Sequence, residues 1–115
     1  MPTRVRVLLG SCLAMVLILG IAITAEAEMA SYYGGESGGI TASGSIFDPF
    51  GSTAAHPWLP FGSVLTVCHA GACEDVTVTD RGPYIGGRDI DVSLGTAIRI
   101  GMLNCGVCPV EVIYH

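Results

Sequence analysis

The sequence predicts a small, mainly β domain: a barrel of short strands with one short helix. Three observations carry that expectation. Val64–Cys68, Glu74–Thr79 and Val107–Tyr114 are rich in β-branched residues and alternate between two faces. Sixteen glycines and six prolines in 115 residues keep every element short. Only Asp91–Ile100 shows helical spacing, with Leu94, Ala97 and Ile98 on one face. Many short strands with a single helix point to a small barrel.

Taken in order, the chain opens on an export signal. Arg4 and Arg6 form a basic start, Val7–Thr24 is an uncharged apolar run, and Ala25-Glu26-Ala27 is a small-residue cleavage site. Residues 1–27 are therefore read as a signal peptide and 28–115 as one domain. Two alternatives stay open. Leu9-Gly10-Ser11-Cys12 is similar to a lipidation site, which would anchor the chain at Cys12, and the apolar run approaches the length that spans a bilayer. All three place the domain outside the cytoplasm, as a secreted, periplasmic or wall-associated protein that meets a membrane only through its N-terminal segment.

Met29–Gly44 reads as a short strand followed by a Gly/Ser-rich loop, and Phe47–Pro60 as a loop broken by Pro49, Pro57 and Pro60. Val64–Cys68 and Glu74–Thr79 form a hairpin, with Val76 and Val78 on one face and Thr77 and Thr79 on the other. Asp91 or Ser93 can cap the helix, and Gly101 can end it in a left-handed conformation. Val107–Tyr114 is the last strand, with Val110 and Val112 opposite Glu111.

Charge excludes one class of partner. Residues 28–115 hold three basic side chains, Arg81, Arg88 and Arg99, against nine acids, a net of −6. Nucleic acid, whose binding needs phosphates neutralised, is not expected. A neutral or cationic partner suits this surface.

Four cysteines fall in the domain: Cys68, Cys73, Cys105 and Cys108. In an exported domain of this size they are expected as disulfides, with three possible connectivities. Cys68–Cys73 with Cys105–Cys108 is favoured, because the first pair flanks a hairpin tip. Zinc, with His69 nearby, is the competing reading, but the spacing is a poor ribbon pattern and export disfavours it. No metal and no cofactor are expected, and a monomer is.

Three acidic groups could carry chemistry. Asp48 lies in a loop eight residues before His56, Asp80 ends a strand beside Arg81, and Asp89 and Asp91 flank Ile90. A carboxyl group in a cleft can protonate a glycosidic oxygen when burial raises its pKa. Tyr33, Tyr84 and Trp58 could stack on sugar rings. Each also has a purely structural reading. Asp80 could pair with Arg81 or Arg88, Asp91 could be an N-cap, His56 a packed loop residue and Trp58 part of the core, while His69 and His115 could be exposed and idle.

Ordered blocks then narrow the choice. Ala30-Ser31-Tyr32-Tyr33-Gly34, Thr41-Ala42-Ser43-Gly44, Thr53-Ala54-Ala55-His56, Leu59-Pro60-Phe61-Gly62, Asp80-Arg81-Gly82-Pro83, Gly87-Arg88, Asp91-Val92-Ser93 and Gly106–Val110 occur in that sequence. This succession resembles the rare-lipoprotein-A family and, more distantly, the first domain of expansins. The resemblance implies a six-stranded double-psi β-barrel with a groove across one face and peptidoglycan glycan strands as ligand. It implies a lytic transglycosylase, in which a carboxylic acid protonates the oxygen between N-acetylmuramic acid and N-acetylglucosamine and the muramic C6 hydroxyl closes on C1. Carried over by position, Asp48 and His56 are the catalytic candidates; the expansin resemblance makes Asp80 and Asp91 groove residues, and Tyr33, Ser45 and Tyr84 are candidate glycan contacts. The family's usual acid directly after Thr-Ala-Ser-Gly is replaced by Ser45. That departure keeps a second expectation alive, a non-catalytic expansin-like module that binds or loosens the wall through Asp91. A third is a secreted interaction protein, such as an inhibitor, that uses the barrel only as a scaffold.

Overall fold

In the computed structural model, which describes residues 25–34 and 39–115, six strands close into a barrel. The leader readings at residues 1–24, Cys12 included, lie outside the described residues. The elements are β1 (Ala25–Tyr33), β2 (Thr53–Ala55), β3 (Val64–His69), β4 (Ala72–Asp80), β5 (Ile90–Ser93), α1 (Leu94–Arg99) and β6 (Cys108–Tyr114). Around the barrel the order is β1, β5, β2, β4, β3, β6. The β1/β5 and β2/β4 pairs are parallel and the other four antiparallel. Among the described residues, no helix is long and apolar enough to cross a membrane.

Alternation fills the barrel. Leu65 and Val67 of β3, Val76 and Val78 of β4, Ile90 and Val92 of β5, and Cys108, Val110 and Val112 of β6 are all buried in one cluster. Ala97, Ile100 and Met102 pack against it from α1 and the segment that follows. Each fully buried aliphatic side chain contributes about 1.5–3 kcal/mol, so the strand pattern and the core are one feature seen at two scales.

The hairpin forms as its sequence suggests. Ala70 and Gly71 both take positive φ, 50° and 89°, at the turn between β3 and β4, the handedness that matches strand twist. Directly behind the turn, Cys68 faces Cys73 and the two are bonded, with Cα atoms 4.0 Å apart. Cys105 and Cys108 are also bonded.

Two expectations are corrected. The stretch Phe47–Pro60 is not loop throughout, since Thr53–Ala55 is a strand held between β4 and β5. Three residues carry no readable alternation, so only tertiary pairing defines this strand. Asp91–Ser93 does not begin the helix. Those residues lie in β5, paired with Ser31–Tyr33 on one side and, for Asp91 and Val92, with Ala54 and Ala55 on the other. The helix starts at Leu94, and Ser93 caps it by accepting the Thr96 N–H at 3.2 Å. Residues 25–27 form the exposed start of β1, opposite Glu111–Ile113.

Candidate active site

β1 and β5 lie side by side in parallel, and this register assembles the acidic site. Ser31 pairs with Asp91, and the buried Ser31 Oγ donates to Asp91 Oδ1 at 3.0 Å. Two residues earlier, Asp89 and Met29 exchange bonds. The Asp89 N–H donates to the Met29 carbonyl at 2.8 Å, and the Met29 N–H donates to Asp89 Oδ2 at 2.9 Å. Asp89 is thus exposed but committed to the backbone, whereas Asp91 is half-buried. Burial pushes the Asp91 carboxyl up from its ordinary value. The Ser31 hydroxyl and the Arg88 charge oppose this, and the Asp80 carboxylate adds to it.

Asp80 ends β4 and organises the neighbouring loop. Its Oδ1 accepts from the Ala42 N–H at 3.0 Å and from the Arg81 N–H at 2.9 Å, and Ser43 N–H donates to the Thr79 carbonyl. The Thr41-Ala42-Ser43-Gly44 turn is thereby pinned to the end of β4. The ion pair of Asp80 with Arg81 or Arg88 suggested by sequence is absent among the described residues, where the one salt bridge is Arg99–Glu74. Arg81 instead ties down the 56–61 loop. Its Nη1 donates to the carbonyls of His56 and Leu59, and its guanidinium lies 3.9 Å from the centre of the Phe61 ring.

Tyr33 ends β1 near these acids. Its ring stacks on Phe47 at 4.9 Å, so one face is already occupied, and its hydroxyl is buried with no partner. Burial and then the Asp80 and Asp91 carboxylates push its pKa up, which keeps the hydroxyl a donor. Tyr84 and Trp58 are exposed, 76% and 71%, and the Trp58 ring meets the His56 ring edge-on at 4.8 Å. Trp58 is therefore not core, and both rings are available to a flat ligand.

His56 is buried, and its Nδ1 accepts from the N–H groups of Leu59 and Trp58, at 3.1 and 3.3 Å. Two donors on Nδ1 place the ring proton on Nε2. Burial and the Arg81 charge hold its pKa below the ordinary value, against a smaller opposing pull from Asp89. His56 is therefore a neutral, fixed donor. It lines a cavity of about 290 Å³ with Glu28, Trp58, Arg88, Asp89 and Tyr114. The Tyr114 hydroxyl donates to Glu28 Oε2, and burial pushes the Glu28 carboxyl up. Glu28 and Tyr114 escaped the sequence reading because they come from opposite ends of the domain. Only the β1/β6 pairing brings those strands together.

Asp48 is elsewhere in character. It is exposed, its Oδ1 accepts from the Phe50 N–H at 3.0 Å, and its charge acts on Arg99. None of these contacts is with His56, Asp80 or Asp91. Ser45 Oγ sits within 2.8 Å of Thr41 Oγ1 and 3.0 Å of Ser43 Oγ, in a cluster of three hydroxyls. His69 and His115 are not idle. His69 Nδ1 lies 3.0 Å from the Ile100 carbonyl oxygen, and His115 Nε2 lies 2.8 Å from Thr66 Oγ1.

Residues 25–112 match the family described as lytic transglycolase. Relatives named probable endolytic peptidoglycan transglycosylase RlpA include those of Treponema pallidum, 43% identical over 85% of this chain, and Aquifex aeolicus, 46% identical over 71%. The endolytic peptidoglycan transglycosylase RlpA of Vibrio cholerae is 39% identical over 76%. The chain spans 31%, 38% and 34% of these three proteins. In fold it is similar to the Streptomyces papain inhibitor, with a TM-score of 0.66 at 22% identity over 82% of this chain and 97% of that one. It is similar also to an expansin of Clavibacter michiganensis, with a TM-score of 0.66 at 17% identity over 80% of this chain and 50% of that one. A closed six-stranded barrel that carries the ordered blocks, matched over residues 25–112, settles the family: the chain belongs to the lytic transglycolases and is an RlpA-like double-psi β-barrel.

Proposed function

We propose that this domain cleaves peptidoglycan glycan strands as an endolytic lytic transglycosylase, outside the cytoplasm, with Asp91 as the general acid. The observation that carries the assignment is the contrast between two carboxylates. Asp91 is half-buried, its pKa is raised by burial, and it stands beside Asp80 and the Tyr33 hydroxyl. Asp48, to which the family resemblance points, is exposed and caps its own turn. A general acid works best with a pKa raised toward the working pH, and burial moves the Asp91 carboxyl in that direction.

The chemistry needs one such group. Asp91 gives its proton to the oxygen that links N-acetylmuramic acid to N-acetylglucosamine, and the bond from that oxygen to muramic C1 breaks. The carboxylate left on Asp91 takes the proton of the muramic C6 hydroxyl as that oxygen closes on C1. The product is a 1,6-anhydro sugar, no water enters, and the acid returns to its starting state. Tyr84 and Trp58 offer ring faces. His56, neutral and fixed, supplies an Nε2–H donor rather than a base.

A second reading rests on Ser45. The family's acid position holds a hydroxyl bound to two others, which cannot supply a proton at neutral pH. On that reading the same residues bind glycan without cutting it. Incubation of the folded domain with purified sacculi, followed by mass spectrometry of the soluble fraction, separates the two. Anhydromuropeptides are expected. Binding to sacculi with no soluble product would select the wall-binding module instead.

A further inference from the structure

At the end of the barrel marked by the β3/β4 turn, three side chains that the glycan site does not use converge. His69 ends β3, Cys105 lies in the segment after α1, and Cys108 begins β6. Their ligand-capable atoms all lie within 4.8 Å of one another. We propose that reduction of the Cys105–Cys108 bond converts this triad into a binding site for a thiolate-seeking divalent cation of the zinc class.

The imidazole is already oriented for the task. A carbonyl oxygen can only accept, so the contact of His69 Nδ1 with the Ile100 carbonyl at 3.0 Å places the ring proton on Nδ1. The lone pair on Nε2 is then directed at Cys105 Sγ, 4.0 Å away. A backbone carbonyl that fixes the tautomer of a ligating histidine is the usual outer partner of a metal site. Tetrahedral zinc asks for nitrogen–sulfur separations of about 3.6 Å and sulfur–sulfur separations of about 3.8 Å, given its bond lengths. The first is close to the 4.0 Å between His69 Nε2 and Cys105 Sγ. The second needs the two sulfurs to part, which the exposed Cys105 side chain can do while the buried Cys108 stays in the core. The Met102 carbonyl oxygen lies 3.2 Å from Cys105 Sγ and 3.6 Å from Cys108 Sγ, so a negative dipole end also faces the site. Three protein ligands with one exposed side leave a fourth position for water.

The steps balance. A dithiol reductant gives two electrons and two protons to the Cys105–Cys108 bond and leaves as its own disulfide. The cation then displaces both thiol protons and accepts the Nε2 lone pair. The oxidised protein has no thiolate to offer, so binding is gated by redox state. Cys68–Cys73 is not a member of the triad, although Cys68 neighbours His69 in the chain.

The test uses the whole chain, reduced with a phosphine, desalted without oxygen and titrated with cobalt(II). The reduced protein should develop thiolate-to-cobalt absorption and the visible bands of a tetrahedral ion, and the oxidised protein neither. Cys105→Ser should abolish the charge-transfer pattern of two thiolates. His69→Ala should weaken binding roughly a hundredfold, at the upper end of what even outer partners cost. The double variant Cys68→Ser/Cys73→Ser should bind as the wild type does. If the reduced chain unfolds, zinc should restore its circular dichroism, since binding to the folded form alone shifts the equilibrium. The proposal is overturned by equal binding in the oxidised protein, by no binding or no refolding in the reduced one, or by binding that follows Cys73 and not Cys105.

Discussion

At the scale of single residues, the site depends on which polar atoms are already spoken for. His56 shows this most clearly. Its Nδ1 receives two backbone N–H groups, so His56→Ala leaves both donors of a part-buried loop without that partner. A donor that water can partly reach costs less than the roughly 1–3 kcal/mol of a fully buried one, and thermal melts should register a destabilisation of about 1–2 kcal/mol. Ser45 poses the opposite question. It is exposed, and its hydroxyl serves only a local cluster. Ser45→Glu restores a carboxylate at the family's usual position and is expected to keep the fold within about 1 kcal/mol. A rise in anhydromuropeptide release from this variant, measured against wild type, would mark position 45 as still facing the reacting bond.

At the scale of elements, one short helix clamps the loop that carries Asp48. Arg99 donates to the carbonyls of Phe50 and Gly51, to Ser52 Oγ and to both oxygens of Glu74, and the Gly95 N–H donates to the Pro49 carbonyl at 2.8 Å. The contact is close because residue 95 has no side chain. A Cβ there would meet the Phe50 backbone at 2.6 Å. Gly95→Ala should force helix and loop apart and lower stability by about 1–3 kcal/mol, the range of other steric insertions into packed sites. Denaturant titration reads this directly. Legibility in the sequence followed the same line. The β3/β4 hairpin and the β6 strand showed in local alternation, and Asp91 in its spacing from Asp89. The three-residue β2, the strand character of Asp91–Ser93 and the Glu28–Tyr114 contact did not, because each exists only through a partner far along the chain. Ordered blocks pointed to Asp80 and Asp91 by resemblance. Only the structure shows that Asp91 is half-buried while Asp48 is exposed and caps a turn.

At the scale of the whole molecule, the acids divide by the direction of their pKa shifts. Glu74, bonded first to Arg99 and then to Ser52 and Thr96, is pulled down to about 2. A lowered carboxyl contributes stability that is present above its unfolded value, near 4.5, and is lost as pH falls toward 2. Half-exposed Arg99 is screened by solvent, so about 1–2 kcal/mol is expected from this network. Glu74→Gln should therefore melt lower at pH 7 and flatten the acid limb of the curve between pH 4.5 and 2. Asp91 and Glu28 run the other way. Their raised values mean that the contribution is present at low pH and is lost as pH rises through the folded value. Asp91→Asn, which removes the group whose ionisation burial opposes, should melt at or above wild type at pH 7.

That variant is also the sharpest probe of the chemistry, because it separates function from fold. Anhydromuropeptide release from sacculi should be measured by mass spectrometry for wild type, Asp91→Asn and Asp48→Asn at equal concentrations of folded protein. Removal of a general acid costs about a hundredfold to ten-thousandfold, so Asp91→Asn should fall by that much while Asp48→Asn stays within about threefold of wild type. Full activity in Asp91→Asn, with loss in Asp48→Asn, would contradict the account and return the acid role to the exposed loop.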